Sequence, residues 1–220
     1  AFAAARTWCS HRQAEAQGQA LMHPNPLFRS EDHALMREWI GRAAFGMVFL
    51  TTPEGPRVAH TPFIMRDENR LQFHLARGND LTRSLEGATA LAVVNGPDGY
   101  VSPRWYDNRD TVPTWDYVAI EMEGPVRRIA DGELDTLLYD LIDTHEHRIE
   151  GERWSAEEAS EPMWNGLFKA IVGFEMEVRE WRPTFKLSQK RTPAERAAIV
   201  AGLAGNGNEA LAAAIGGNAA

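Results

Sequence analysis

The stretch FGMVFLTTPEGPRVAHTPFIMRDENRLQFHLA (45–76) decides the fold. It contains three short runs rich in β-branched and aromatic residues, FGMVFLT (45–51), RVAHTPFIM (57–65) and RLQFHLA (70–76), each of strand length. Pro53, Gly55 and Pro56 punctuate the first gap and RDEN (66–69) the second. Connections this short join antiparallel neighbours, because a parallel pair needs a crossover of a dozen residues or more. The stretch therefore reads as an antiparallel meander.

Upstream, Ser30 can cap a helix in which Leu35, Met36, Trp39 and Ile40 recur at helical spacing, and Gly41 can close it. Downstream, Asn79 or Asp80 can cap a short helix through Leu81 and Leu85, and TALAVVN (89–95) is apolar enough for a buried strand. A long aromatic loop (96–117) follows. WDYVAIEME (115–123) then alternates, with Val118, Ile120 and Met122 on one face, and PVRRIA resumes after Gly124 as its hairpin-like partner. Leu134, Leu137, Leu138, Leu141 and Ile142 form one helical stripe with a solvated acidic face opposite. GFEMEVREW (173–181) reads as the last strand, with Phe174, Met176 and Val178 inward and Glu175, Glu177 and Arg179 outward. From Thr192 the chain reads as helical and then frayed. Short strands at this spacing with helices inserted between them indicate a mainly β protein, a small antiparallel barrel with added helices. Residues 22–215 read as one domain and residues 1–21 as an upstream extension.

The 220 residues, 44% hydrophobic and 25% charged, suffice for a core. No apolar run reaches eighteen residues, which excludes a membrane-spanning helix. The single cysteine, Cys9, excludes an intrachain disulfide and a Cys-based zinc site, and agrees with a cytoplasmic location. With 23 Lys+Arg against 31 Asp+Glu, the net charge of −8 opposes general attraction to polyanions, so a DNA contact would need a local basic patch. The fingerprints of dinucleotide, P-loop, α/β-hydrolase and zincin sites are absent.

Four segments carry residues that strand or helix patterning does not require. In FHLARGND (73–80) a strand runs into a cap residue, and Arg77 adds a fork of donors suited to a phosphate; the plain alternative is a surface arginine in a turn. HTPF (60–63) sets His60 on the strand beside that of His74, where two imidazoles can shuttle protons, bind a metal or simply bond to backbone. Tyr100, Trp105, Tyr106, Trp115 and Tyr117 in the long loop can line a slot for a flat ring or pack at an interface. FKLSQKR (185–191) holds two of the three lysines, and could present a cation and amide donors to a phosphate or a flavin, or contact DNA. HEH (145–147) places its histidines two apart on a helix, on different faces, which disfavours a metal site.

Taken in order, MHPNPLF, HTPF, FHLARGND, GPDGYVSPRWY, VPTWDYVA, GFEMEV and FKLSQKR resemble the PaiB-type family of FMN-binding transcriptional regulators, within the flavin split-barrel superfamily. The resemblance runs from Met22 to about Leu211. It implies a split β-barrel homodimer with FMN at the subunit interface, and a role as a negative regulator of protease and sporulation genes. Carried over by position, it implies that His60, Thr61, Pro62, His74, Ala76, Arg77, Asn79, Trp115, Lys186, Ser188 and Gln189 surround the flavin. Arg77, Asn79 and the helix start after them would hold the phosphate, and Lys186 and Gln189 would reach the phosphate or ring edge. The chain departs from the pattern at Asp116, where Asn is usual, and at Glu121, in a strand that often carries His. An FMN-dependent oxidoreductase or a haem-binding relative on the same barrel is the rival reading, since a fold does not fix an activity.

Overall fold

The structure is a computed structural model, described over residues 23–217. The extension assigned to residues 1–21 lies outside the described residues.

The meander forms as expected: β1 (Phe45–Thr52), β2 (Gly55–Met65) and β3 (Arg70–Ala76) pair in succession, all antiparallel. The other strands are β4 (Thr89–Val101), β5 (Thr114–Arg128), β6 (Ile171–Glu177) and β7 (Glu180–Lys186). The sheet runs β4-β1-β2-β3-β6-β5-β7, and an additional β4–β5 pairing closes six strands into a ring with β7 on the outer edge of β5. This is an antiparallel split barrel. Its interior is filled by Phe63, Phe73 and Phe174, whose rings follow one another at 5.8 and 5.7 Å, with Leu71, Ile120, Met122 and Met176 around them.

Among the described residues five α-helices decorate the ring: α1 (His33–Ala43), α2 (Asp131–Glu146), α3 (Glu161–Phe168), α4 (Pro193–Ala204) and α5 (Glu209–Gly216). The cap of α1 is Asp32, whose Oδ1 accepts the Leu35 N–H at 3.0 Å, and not Ser30. The helix ends one turn later than Gly41 suggests, at Ala44 in the left-handed region (φ 48°). The helix expected after Asn79 is a single 3-10 turn, Asp80–Arg83.

Four further expectations need correction. TALAVVN does not stop at Asn95: β4 continues to Val101 past an irregularity between Asn95 and Asp98, so the aromatic loop shrinks to residues 102–113. WDYVAIEME and PVRRIA are not a hairpin-like pair but one long strand, β5, which leaves β7 at Glu123 and joins β6 at Val126. GFEMEVREW is not one strand; it turns at Val178 and Arg179, whose N–H groups bond to Asn69 O and Glu123 O, on either side. Within it, Glu175 is buried rather than outward in solvent. The C-terminus is not frayed over residues 205–217: Leu211 and Ile215 of α5 join Ile199 and Leu203 of α4 and Val101 in a second apolar cluster.

Candidate functional site

Alternation along β2 and β3 turns His60, Pro62, His74 and Ala76 away from the barrel core, while Thr61 is buried and donates through Oγ1 to His74 O at 2.6 Å. Across from this outward strip stand α2 and α3. Ser160 caps α3 and Pro162 sits in its first turn; the Leu134/Leu137/Leu141 stripe holds α2. The helices and the strip border an open cavity of about 560 Å3, lined by Pro62, His74 and Ala76 below and by Leu138, His145, Trp154, Trp164 and Phe168 above. The wall is almost entirely apolar. His74 is the polar point on the strand side, with His145 and Glu146 on the helix side: burial lowers the His74 pKa, favouring the neutral ring, and Nδ1 is buried without a hydrogen-bond partner. His60 stays exposed and stacks on Phe45 at 6.5 Å.

Arg77 is set at the exposed rim. Its Nε and Nη2 donate to Lys169 O at 2.8 Å and Ile171 O at 2.9 Å, so two carbonyls fix the plane of the guanidinium without neutralising its charge. Asn79 Oδ1 accepts the Leu81 N–H at 3.0 Å, spending its acceptor on the turn. A four-residue 3-10 turn brings almost no dipole, so an anion here would be held by Arg77 rather than by a helix start.

Trp115, Lys186, Ser188 and Gln189 form a second group, on β5 and the end of β7. Lys186 Nζ donates to Thr114 Oγ1 and to Trp115 O, and Gln189 braces its own turn through Leu187 N and Phe185 O. Ser188 takes the left-handed conformation (φ 55°) and donates to Asp116, which is 1% exposed. The Trp115 indole N–H reaches Asp98 at 2.8 Å while its ring stands exposed. Among the described residues no hydrogen bond links this group to the one on β2 and β3. Of the other loop aromatics, Trp105 lies against Gly202 of α4 and Tyr106 lies under Arg191 at 4.1 Å, both packed with the second apolar cluster, while Tyr100 is exposed. Lys186 and Arg191 of the basic segment are thus committed inside the chain.

The two departures from the family pattern have local partners, since Glu121 accepts from Arg182 at 3.1 Å and Asp116 is paired as above. Burial pushes the Asp116 carboxyl up from the usual range, against the opposing pull of Ser188 and then Lys186. An acid raised in the folded state binds its proton more tightly folded than unfolded, so it costs stability as pH rises from about 4 through its folded pKa. Asp116→Asn, which keeps an acceptor for Ser188, is expected to match the parent near pH 4 and to exceed it in stability at pH 7. Urea titrations of both proteins at the two pH values test this, and a variant no more stable than the parent at pH 7 would refute it.

Sequence patterning did not single out Trp154, Trp164 or Phe168. The available signal was two tryptophans within eleven residues of a polar, glutamate-rich segment, which has no core of its own to bury them.

Residues 22–180 match the family described as "Putative FMN-binding domain". Protease synthase and sporulation protein PAI 2 of Bacillus subtilis is 33% identical over 153 residues, 67% of this chain and 72% of that one. An uncharacterised protein of Saccharomyces cerevisiae is 36% identical over 110 residues, 44% of this chain and 65% of that one. Among solved structures, the FAD and heme binding protein from Mycobacterium smegmatis superposes with a TM-score of 0.52 at 18% identity, covering 77% of this chain and 78% of that one. A conserved hypothetical protein from Mycobacterium tuberculosis gives 0.52 at 14%, over 76% and 92% of the two chains. At these identities the structures testify to the fold alone, and it is the sequence match, over well more than half of the chain, that places this protein in the family described as "Putative FMN-binding domain".

Proposed function

We propose that this protein binds FMN on the outward strip of β2 and β3, as a homodimer with a PaiB-type regulatory role exerted without direct contact to DNA. The observation that carries the flavin is the pairing of an unneutralised, fixed cation at Arg77 with an apolar cavity edge that holds an unpartnered imidazole. These residues fit a phosphate joined to a flat heterocycle. Pro62, His74 and Ala76 would border the ring and Arg77 would take the phosphate; the bound flavin would supply redox chemistry that no side chain here can.

A second copy is supported by exposed aromatic surface: Phe45, stacked on His60, is 54% exposed, and Trp115, packed edge-on by Tyr100, is 52% exposed. Direct repression by contact with DNA draws no support from the charge of −8 or from a basic segment whose Lys186 and Arg191 bond internally. The oxidoreductase reading is favoured by one observation, the cavity beside His74, which has room for a reactant.

Titration of FMN against the full chain, followed by quenching of flavin fluorescence, tests the proposal. Arg77→Ala should weaken binding at least about tenfold, since a hydrogen bond to a charged group contributes about 1.5–3 kcal/mol. Its thermal stability should fall only modestly, because the two hydrogen bonds that the side chain makes, to Lys169 O and Ile171 O, are exposed. Unchanged affinity would remove Arg77 from the site.

A further inference from the structure

We propose that the cleft between the start of α1, the turn Pro26–Phe28 and the first half of β7 binds a free α-amino acid with an apolar side chain, its carboxylate toward Arg29 and its ammonium toward Glu31. None of the residues assigned to the flavin lines this cleft, so the inference does not rest on the flavin reading.

The cleft has a volume of about 400 Å3, within the range of small-molecule sites. The turn that borders it is capped by Asn25, whose Oδ1 accepts the Leu27 N–H at 3.1 Å, and it buries Phe28. Met36, which is 1% exposed, Pro183 and the Trp181 ring form the apolar part of the wall, and His33 lies against Trp181 at 5.3 Å. Such a surface suits an aliphatic or aromatic side chain.

Charge then narrows the class. Most of the charges on the wall already have partners: Arg182 is bound to Glu121 at 3.1 Å and to Glu123 at 2.9 Å, Arg179 is bound to Glu177 at 3.1 Å, and Glu180 is engaged as well. Two have no opposite charge beside them among the described residues. One is Arg29, whose Nη2 donates only to carbonyls, His23 O at 3.4 Å and Pro24 O at 3.1 Å; the other is Glu31, and the two do not pair with each other. An unmatched cation and an unmatched carboxylate on either side of Ser30 select a ligand that carries both signs, because a simple anion would meet Glu31 and a simple cation Arg29. Two further observations set the carboxylate end. Burial, and then the nearby Lys186, Lys190 and Arg29, lower the His23 pKa, so the cleft is electropositive on that side. Trp181 Nε1 is a buried donor without a partner, and a carboxylate at this wall would give it one.

Calorimetric titration of the full chain with L-leucine, 4-methylpentanoate and 3-methylbutylamine separates the two charges, since the second compound lacks only the ammonium and the third only the carboxylate. Leucine is expected to bind at least about tenfold more tightly than either, as one hydrogen bond to a charged group provides, with or without saturating FMN. Glu31→Gln should weaken leucine at least about tenfold without weakening 4-methylpentanoate, and Arg29→Gln should weaken leucine as much without weakening 3-methylbutylamine. Both positions are exposed, so both variants should stay folded. Trp181→Phe should weaken leucine and 4-methylpentanoate several-fold. No heat with leucine at millimolar concentration, equal affinity for either analogue, or insensitivity to both charge variants would overturn the proposal. So would displacement of leucine by FMN, which would give the cleft to the flavin. Leucine that binds while FMN does not would sink the flavin reading and leave this one standing.

Discussion

Gly124→Ala is expected to cost at least ~3 kcal/mol, the upper end of what overpacking does in a core. A Cβ at this position would lie 1.8 Å from Glu177 O and 2.8 Å from Glu177 C, and both are backbone atoms that no rotamer change can move aside. The crowding has a topological cause. β5 is bonded to β7 as far as Glu123 and to β6 from Val126, and the turn linking β6 to β7 crosses it between the two. The glycine is thus required by close approach and not by an unusual backbone angle. Gly41→Ala is the control: a Cβ there meets nothing within 4 Å, and the residue sits inside α1, where alanine should add about 0.5–1 kcal/mol. Urea denaturation of both variants decides the point. A loss below ~1 kcal/mol at Gly124 would mean that the crossing is looser than the register implies.

The same crossing explains which parts of the fold were legible. β1 to β3 could be read because each link is local: turn residues close the hairpins and alternation sets the faces. Gly124-Pro125 is also a turn signal by local chemistry, whereas here it serves a strand that changes partners across the ring. Gly96-Pro97 misled in the same way, because β4 absorbs it as an irregularity opposite β5. Conversely, the Ala/Gly-rich composition of residues 201–217 hides two well-spaced anchors, Leu211 and Ile215, whose burial depends on α4 and Val101. Local propensity carries no information about any of these long-range contacts.

The candidate site divides along the same line. His60, Pro62, His74 and Ala76 fall on one face by strand parity, and the sequence suffices for that. Arg77 could be named from its neighbours, but its anchoring by Lys169 O and Ile171 O comes from the end of α3 and the start of β6, over ninety residues away in the chain. The helical half of the cavity was hidden for a different reason. Its Trp154 and Trp164 lie in a segment whose polarity reads as surface, and only the docking of α2 and α3 against the strip makes them a wall.

Glu175→Ala is expected to cost about 3 kcal/mol, as removal of one partner from a buried charge pair does. Alternation alone assigns Glu175 to the solvent face of β6, and the backbone does point it there. Arg127 of β5, Gln72 of β3 and α2 nevertheless cover it, leaving the side chain 6% exposed. Its Oε2 accepts from Gln72 at 2.7 Å and its Oε1 from Arg127 Nε at 3.0 Å, with Arg70 at 4.0 Å. Arg127 extends the chain of contacts to Glu133 at 2.7 Å, and Glu133 in turn accepts the Ala130 N–H at the start of α2. Arg127 and that N–H hold the Glu133 carboxyl at about 2. A depressed acid stabilises the fold above its ordinary pKa and loses that contribution as pH falls from about 4.3 toward 2, so this link to α2 weakens in acid. Since α2 is one wall of the cavity, loss of Glu175 should reach the site as well as the barrel: the variant should show faster amide exchange through the first turn of α2 than the parent. The companion Gln72→Leu/Glu175→Leu, which removes the buried polar atoms from both strands, should recover part of the loss, although it leaves Arg127 with Glu133 and Arg66, whose Nε donates to Gln72 Oε1, with Asp140. Exchange unchanged in α2, with stability reduced, would confine the role of Glu175 to the β3–β6 pairing and detach it from the site.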